Sequence, residues 1–520
     1  MTAPVPDVVP ATTSMSAAQP NPPRVPTYKR KLFWVALLYF SEGLPLGVFF
    51  DIFPVYFRQQ GVNLADIGLL SLLGLAWTVK FLWAPAIDWA RHHRWWISAA
   101  NVGMALVMWF FAGTSEGAFG PWVWLAIGTF TVLSATNDIA TDGYTIELLD
   151  RREYGLANGF RIGFYRVGMI FAGVVLMVSG WFGWSMAYVI GGAVFACNAA
   201  MALWAPPEKP RVSTNTTVAV EFKLLKGQPL WAAALLLVIV GLLWPALAPL
   251  GRVVGWTGLA SVSGTWWFRG ALPVGLMFAG AALMVVAARG PRAELMREGP
   301  VFGAWVELLS RPGMIAILVF ILLFKLGDAA MGFMVKPFWV DSGFSNQQIG
   351  LVSVNFGLAL SIAGGLLGGW YVDKAGIFRG LWVLGIWQAL SNLGYAGAAW
   401  GVPPAAPGSD VALVHQAMVY GASALESFTG GLGTGAFLAF LMAITSRAKA
   451  TTEYAILSSI FAFSRAVAGW AGGIGAQEMG YSAYFFLTFW LSFPAYLLLP
   501  QVRSMLDRQE RAANASVEPG

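Results

Sequence analysis

Charged side chains are scarce in this sequence: Asp, Glu, Lys and Arg make up 11% of the 520 residues, against 57% hydrophobic. Soluble domains carry about a quarter, so a string of water-soluble domains is excluded and an integral membrane protein remains. Cysteine occurs once, as Cys197 in an apolar run, which rules out an intrachain disulfide and reads as a small buried hydrophobe. Of the three histidines, His92 and His93 fall in a basic stretch and His415 near a helix end, which gives little support to a metal site or histidine catalysis. No glycine-rich phosphate loop with its lysine is present, nor a GxSxG or HExxH arrangement. The chain is therefore not read as an enzyme, no cofactor is implied, and ATP is not the expected energy source. An ion gradient or a solute's own gradient is.

What is abundant fits a bilayer: 25 Trp, 36 Phe and 60 Gly, aromatics for the interfaces and glycine for close helix packing. A span needs about 20 residues. Six apolar segments can be read near 32–57, 64–87, 95–113, 122–146, 156–180 and 183–204, and six more near 312–340, 347–371, 380–401, 412–444, 453–475 and 480–500. Two extra spans near 230–248 and 271–288 lie between the sets and bring the expected total to fourteen. The predicted organisation is a disordered tail (1–30), a first six-helix bundle (31–204), a polar linker (205–229) and an extra helix pair (230–290). A cytoplasmic surface segment (291–311), a second bundle (312–500) and a short tail (501–520) complete it. Lys and Arg gather at Lys29 to Lys31, Arg91 and Arg94, Arg151 and Arg152, Lys374 and Arg379, Arg447 and Lys449, and Arg503 to Arg511, while the loops around 114–121, 180–183, 402–411 and 476–480 have none. That asymmetry puts both termini in the cytoplasm. It also explains the net charge of +6 without nucleic acid as a partner. The loop tryptophans Trp256, Trp266 and Trp267 are expected at the outer interface.

The two sets repeat one plan. Pro54, Gly61 and Gly68 precede a span ending at Asp88, and Pro337, Gly343 and Gly350 precede one ending at Asp373, Lys374 and Arg379. GVNLADIGLL matches GFSNQQIGLV in polarity, and Tyr154 and Arg166 are echoed by Tyr454 and Arg465. Duplicated halves around a midplane site are a recurrent transporter plan.

A charge near the centre of a spanning helix is unfavourable by roughly 2.5–3.5 kcal/mol, so each should face a cavity or a partner. The densest set, Asn137, Asp138, Asp142 and Glu147, lies in SATNDIATDGYTIELL; Asp138 and Asp142 share one helical face and could exchange a proton. Arg161 and Arg166 follow on the next helix about 140° apart, so one of them faces the cavity; Arg166 is the preferred partner of Asp138, as a structural ion pair or as a ligand for a substrate anion. Lys325 and Asp328, three apart, can pair. Glu42 stands beside Gly43 and Pro45, where a break would expose backbone groups. Lys80, Glu426, Glu453 and Arg465 complete the inventory; the glycines after Glu426 permit either a hinge or tight packing. Asp88 and Asp373 read as gate latches for basic neighbours such as Arg379, or as ordinary solvated loop acids.

At SEGLPLG, GLLSLLGLAWTVKFLWAPAID, ATNDIATDGYTIELL, FKLGDAAMG, ESFTGGLGTGAFLAFLM and TTEYAILSSIFAFSRAVAG, the chain resembles the major facilitator superfamily. Within it the likeness is to the AmpG muropeptide permease branch, related to the acetyl-coenzyme A transporters. The resemblance implies an all-α membrane fold of two six-helix bundles with alternating access, and proton-coupled import of anhydromuropeptides across a bacterial cytoplasmic membrane. Candidate proton carriers are then Asp138, Asp142, Asp328 and Glu42. Candidate substrate contacts are Arg161, Arg166, Lys325, Glu426, Asn137 and Lys80, and the gate is Asp88, Asp373 and Arg379. The partners implied are a small-molecule solute, a proton and the lipid bilayer, with a monomer expected. A siderophore or an acyl coenzyme A is the alternative solute. A membrane-embedded transferase would need a catalytic His or acid in a polar loop, which the sequence does not offer.

Overall fold

In the computed structural model the described residues are 28–515, except 81–82, 85–86, 88–91, 114–119, 150–153, 208–222, 224, 254–264, 266, 291–292, 297–301 and 446–449. The expected tail at 1–27, Asp88, the basic pairs at 151–152 and 447–449, and Trp256 and Trp266 lie outside them.

The first half begins with α1 (Tyr28–Gly47), which passes through a π-helical turn, Val48–Ile52, into Phe53–Gln59. The SEGLPLG stretch does not break the helix as expected: Pro45 lies inside α1, and the irregular turn comes just after it. Glycine there serves close packing instead: a Cβ on Gly43 would collide with the backbone of Tyr165, and one on the facing Gly168 would come within 2.7 Å of Leu44 N. The half continues with α2 (Leu64–Leu73, then Leu75–Val79), α3 (His93–Gly113) and α4 (Pro121–Leu148). Helices α5 and α6 lie within Tyr154–Trp204 and meet at Gly183, whose φ of 84° turns the chain. The extra pair is α7 (Pro229–Val253) and α8 (Leu272–Ala288), with the short α9 (Phe302–Ser310) packed beneath it. The second half comprises α10 (Met314–Phe324 and Leu326–Asp341), α11 (Asn346–Ala375) and α12 (Ile377–Gly401). It ends with α13 (Leu413–Ile444), α14 (Ala450–Met479), α15 (Tyr481–Leu491) and α16 (Leu499–Ala515).

Ten helices among the described residues are long and apolar enough to cross a membrane, against the fourteen expected. The span Phe160–Trp204 contains the Gly183 turn, and Leu64–Val79 and Pro229–Gly241 are shorter apolar helices. The expected seventh span is interrupted: Lys325, at φ −105° and ψ 17°, separates the two pieces of α10. Cys197 is exposed rather than buried.

The repeat read from the sequence has a structural meaning at two levels. Gly61 and Gly343 occupy turns at φ 78° and 87°, a region only glycine enters cheaply. Two residues on, Asn63 and Ser345 cap the following helices through the backbone N–H of Asp66 and Gln348. Gly68 and Gly350 then sit where the halves cross. A Cβ on Gly68 would lie 2.7 Å from Gly473 Cα on α14, and one on Gly350 would lie 2.5 Å from Gly173 O on α5. The helix pairs α2/α14 and α5/α11 thereby form the two seams.

Among the described residues the halves share one apolar core only at the end bearing these turns, where Phe53, Leu70, Phe111 and Tyr188 of the first half join Met334, Trp339, Phe344 and Phe485 of the second. At the opposite end they have separate cores, one around Tyr39, Ile97 and Tyr144 and one around Phe320, Leu381 and Phe440. The molecule is therefore sealed at the first end and divided at the other.

Candidate functional site

Polar side chains fasten the sealed end. Arg58 Nε donates to both carboxylate oxygens of Asp341 at 2.6 and 2.8 Å, and Tyr481 Oη donates to Oδ2 at 2.6 Å. Beside it Gln59 Nε2 donates to Asn346 Oδ1 at 2.7 Å, and Asn346 Nδ2 donates to Ser179 Oγ at 2.8 Å. Both sets join the two halves.

On the divided side of this seal lies a cavity of about 390 Å³. It is lined by Phe50 and Asp51 of α1, Tyr165 and Arg166 of α5, and Lys325, Asp328 and Lys336 of α10. Glu426 of α13 and Arg465 of α14 close the ring of charge. Lys325 and Lys336 are buried, as hydrocarbon demands of charges that have partners. Lys325 Nζ lies 3.2 Å from Asp328 and donates to Thr434 Oγ1 at 2.7 Å and to Gly430 O at 3.3 Å. The helix break at Lys325 leaves its side chain directed across to α13. Lys336 Nζ lies 3.3 Å from Asp51 of the other half and donates to Ser353 Oγ at 2.6 Å. Asp328 Oδ1 is buried without a hydrogen-bond partner, and Glu426 lies within electrostatic range of Asp328, Lys325 and Lys336.

A second charged cluster lies wholly in the first half. Asp138 pairs with Lys80, not with Arg166 as expected; Arg166 follows Arg161 around α5 and faces the cavity, whereas Arg161 turns to α4. Arg161 Nη2 lies 2.9 Å from Asp142 and its guanidinium stacks 4.8 Å from the Tyr39 ring. Tyr39 Oη donates to Asp142 at 2.7 Å. Glu42, only 6% exposed, sits against Asp138 and leaves Oε2 without a partner. Asn137 is fully buried; it accepts from Asn101 at 2.9 Å and donates to Ser41 O at 3.2 Å, tying α4 to α3 and α1. Tyr165 connects the two clusters, within electrostatic range of Glu42 and Asp138 on one side and of Arg166 and Arg465 on the other.

Of the substrate contacts expected from sequence, Arg166, Lys325 and Glu426 line the cavity. Arg161, Asn137 and Lys80 belong to the neighbouring cluster. Of the expected gate residues, Asp373 and Arg379 are exposed, and Asp88 lies outside the described residues. Glu453 pairs with Arg311 at 2.5 Å at the foot of α14, away from the cavity. The sequence reasoning passed over Asp51, Lys336, Arg58 and Asp341. The signal was there in FFDIF and MVKPF, a charge inside an apolar span, and the rule applied to Asp138 would have marked both.

Two pseudo-repeated helical halves, sealed at one end beside a charged cavity, follow the duplicated plan of a membrane transporter. The match to the family description "Major Facilitator Superfamily" runs over residues 35–324. The chain belongs to that superfamily, and is a permease rather than an enzyme. It is 24% identical over 480 residues, 91% of this chain and 79% of its relative, to the "Anhydromuropeptide permease" of Escherichia coli K12. It is 21% identical over 490 residues, 90% of this chain and 95% of its relative, to the "Putative transporter AmpG 4" of Rickettsia felis. Among solved structures, the POT family transporter PepTSo superposes with a TM-score of 0.61 at 13% identity, over 94% of this chain and 99% of the other. That likeness carries the fold.

Proposed function

We propose that this protein imports an anionic sugar–peptide of the anhydromuropeptide class, together with a proton, across a bacterial cytoplasmic membrane, acting as a monomer with both termini inside. The observation that supports the reading is the cavity itself, lined by Arg166 and Tyr165, with an acid cluster of Glu42, Asp138 and Asp142 within electrostatic range of Tyr165 or of one another. Proton occupancy of one can then alter the field in the other. Aromatic cavity walls such as Phe50 and Phe333 suit sugar faces, and the named permease relative supports the solute class. Asp138 and Asp142 are the proton carriers, with Glu42 beside them and Asp328 a further carrier in the solute cavity. Lys80 and Arg161 hold the carriers' charge between turnovers. Lys325 and Glu426 position the solute, and Asp88, Asp373 and Arg379 latch the divided end when it closes.

Uptake of labelled anhydromuropeptide into proteoliposomes tests this. Uptake should rise with an inwardly directed proton gradient, and Asp138→Asn should abolish that dependence. Uptake indifferent to the gradient and intact in Asp138→Asn would refute the coupling. Thermal-shift screening against anhydromuropeptides, ferric siderophores and coenzyme A esters tests the solute; a response to either of the latter alone replaces it.

A further inference from the structure

The cavity holds four cations, and only two of them are committed. Lys325 is bound to Asp328, Thr434 and Gly430 O, and Lys336 to Asp51 and Ser353. Among the described residues no carboxylate lies within ion-pair distance of Arg166 or Arg465, although both line the same cavity. They come from opposite halves, α5 and α14, at places the repeat makes equivalent. Asp328 and Asp51 act on Arg465 from beyond ion-pair distance but are already paired with Lys325 and Lys336; the two guanidiniums facing one low-dielectric space still repel each other, and an anion between them removes that cost. Phe50, stacked 4.7 Å from the Arg465 guanidinium, fixes its plane. A planar fork matches a carboxylate's two oxygens, which an ammonium does not.

We infer that Arg166 and Arg465, one from each half, form a two-armed site for a single carboxylate of the solute. The inference rests on the reading of this cavity as the solute site, and it adds to Arg166 a second arm, Arg465, that the expected substrate contacts did not include. Because the arms belong to different halves, the bound carboxylate also bridges the units that rock during transport, so the solute's own charge favours the closed arrangement.

The test measures equilibrium binding to the full-length protein of an anhydromuropeptide and of the same compound with its carboxyl groups converted to carboxamides. Wild type should prefer the acid by about tenfold or more. Arg166→Gln and Arg465→Gln should each bring acid binding down to the carboxamide level and leave carboxamide binding unchanged. The double variant should add little, since both arms hold one group. Arg→Lys at either position should recover only part of the preference, and serves as the test if a Gln variant fails to fold. Equal weakening of both ligands, or an intact preference, overturns the site. If wild type binds neither ligand, the solute class is what fails, and citrate and inorganic phosphate become the probes. Protection of wild type against thermal unfolding, lost in both Arg variants, upholds an oxyanion site, and citrate without phosphate keeps it a carboxylate site. An equal response in all three proteins overturns it.

Discussion

Lys80 and Asp138 show how a membrane interior tolerates charge: each is acceptable only because the other is there. Removing one partner leaves the other charge buried alone, which costs about 3–5 kcal/mol in buried pairs; Lys80 is partly exposed, with its side chain at 32%, so the lower end or less applies here. Lys80→Met is expected to lower the thermal unfolding temperature, and Lys80→Met combined with Asp138→Leu to recover most of it. The double variant should still not transport, because stability returns with the removal of the stranded charge while the titratable group does not. Thermal unfolding and proteoliposome uptake of the three variants decide it. Tyr39→Phe is milder: it removes one hydrogen bond to Asp142 and leaves the Arg161 pair, so a loss of about 1–2 kcal/mol is expected, with the pH profile of uptake displaced.

At the level of the helix, the two crossing glycines are exacting positions because they lie on the seams between the halves. At Gly68 and Gly350 even a methyl group would lie 2.5–2.7 Å from backbone of the opposite half, and backbone cannot step aside as a side chain can. Overpacking typically costs 1–3 kcal/mol. Gly68→Leu and Gly350→Leu should each push apart the halves at one seam and sharply reduce uptake, whereas Gly369→Leu, where a Cβ meets nothing within 4 Å and which does not line the cavity, disturbs no seam. Cross-linking across α2/α14 and α5/α11, with Cys197 replaced, reports the separation. The seven-residue spacing of these glycines, the matched polarity of GVNLADIGLL and GFSNQQIGLV and the carboxylates of α4 were all legible in the sequence, because each is local chemistry repeated or a charge in an apolar run. The partner of Asp138 was not. Lys80 and Arg166 lie on different helices, α2's continuation and α5, and which of them α4 meets depends on packing angles that no single segment encodes. The interruption at Lys325 was equally hidden, since LFKLGD contains neither proline nor a strong helix breaker beyond one glycine.

For the whole molecule, the division into one shared core and two separate ones describes a state, and the Arg58–Asp341–Tyr481 contact with the Gln59–Asn346–Ser179 chain holds it. The side chains of Arg58 and Asp341 are 25% and 24% exposed, so solvent screens the pair and its worth is on the order of 1 kcal/mol. That is small for folding and large for an equilibrium between two arrangements, where about 1 kcal/mol changes the ratio roughly fivefold. Asp341→Asn should therefore leave the unfolding temperature nearly unchanged while shifting the population toward opening at the turn-bearing end. Spin labels placed near Gln60 and Gly408, in protein lacking Cys197, would show a longer distance component growing at the expense of the shorter. Restoring the contact as a reversed pair, Arg58→Asp with Asp341→Arg, should bring the shorter component back, because the latch depends on opposite charge and not on which half supplies it. An unchanged distance distribution in Asp341→Asn would mean that the apolar seal of Phe53, Trp339 and Phe344 holds the end closed without help.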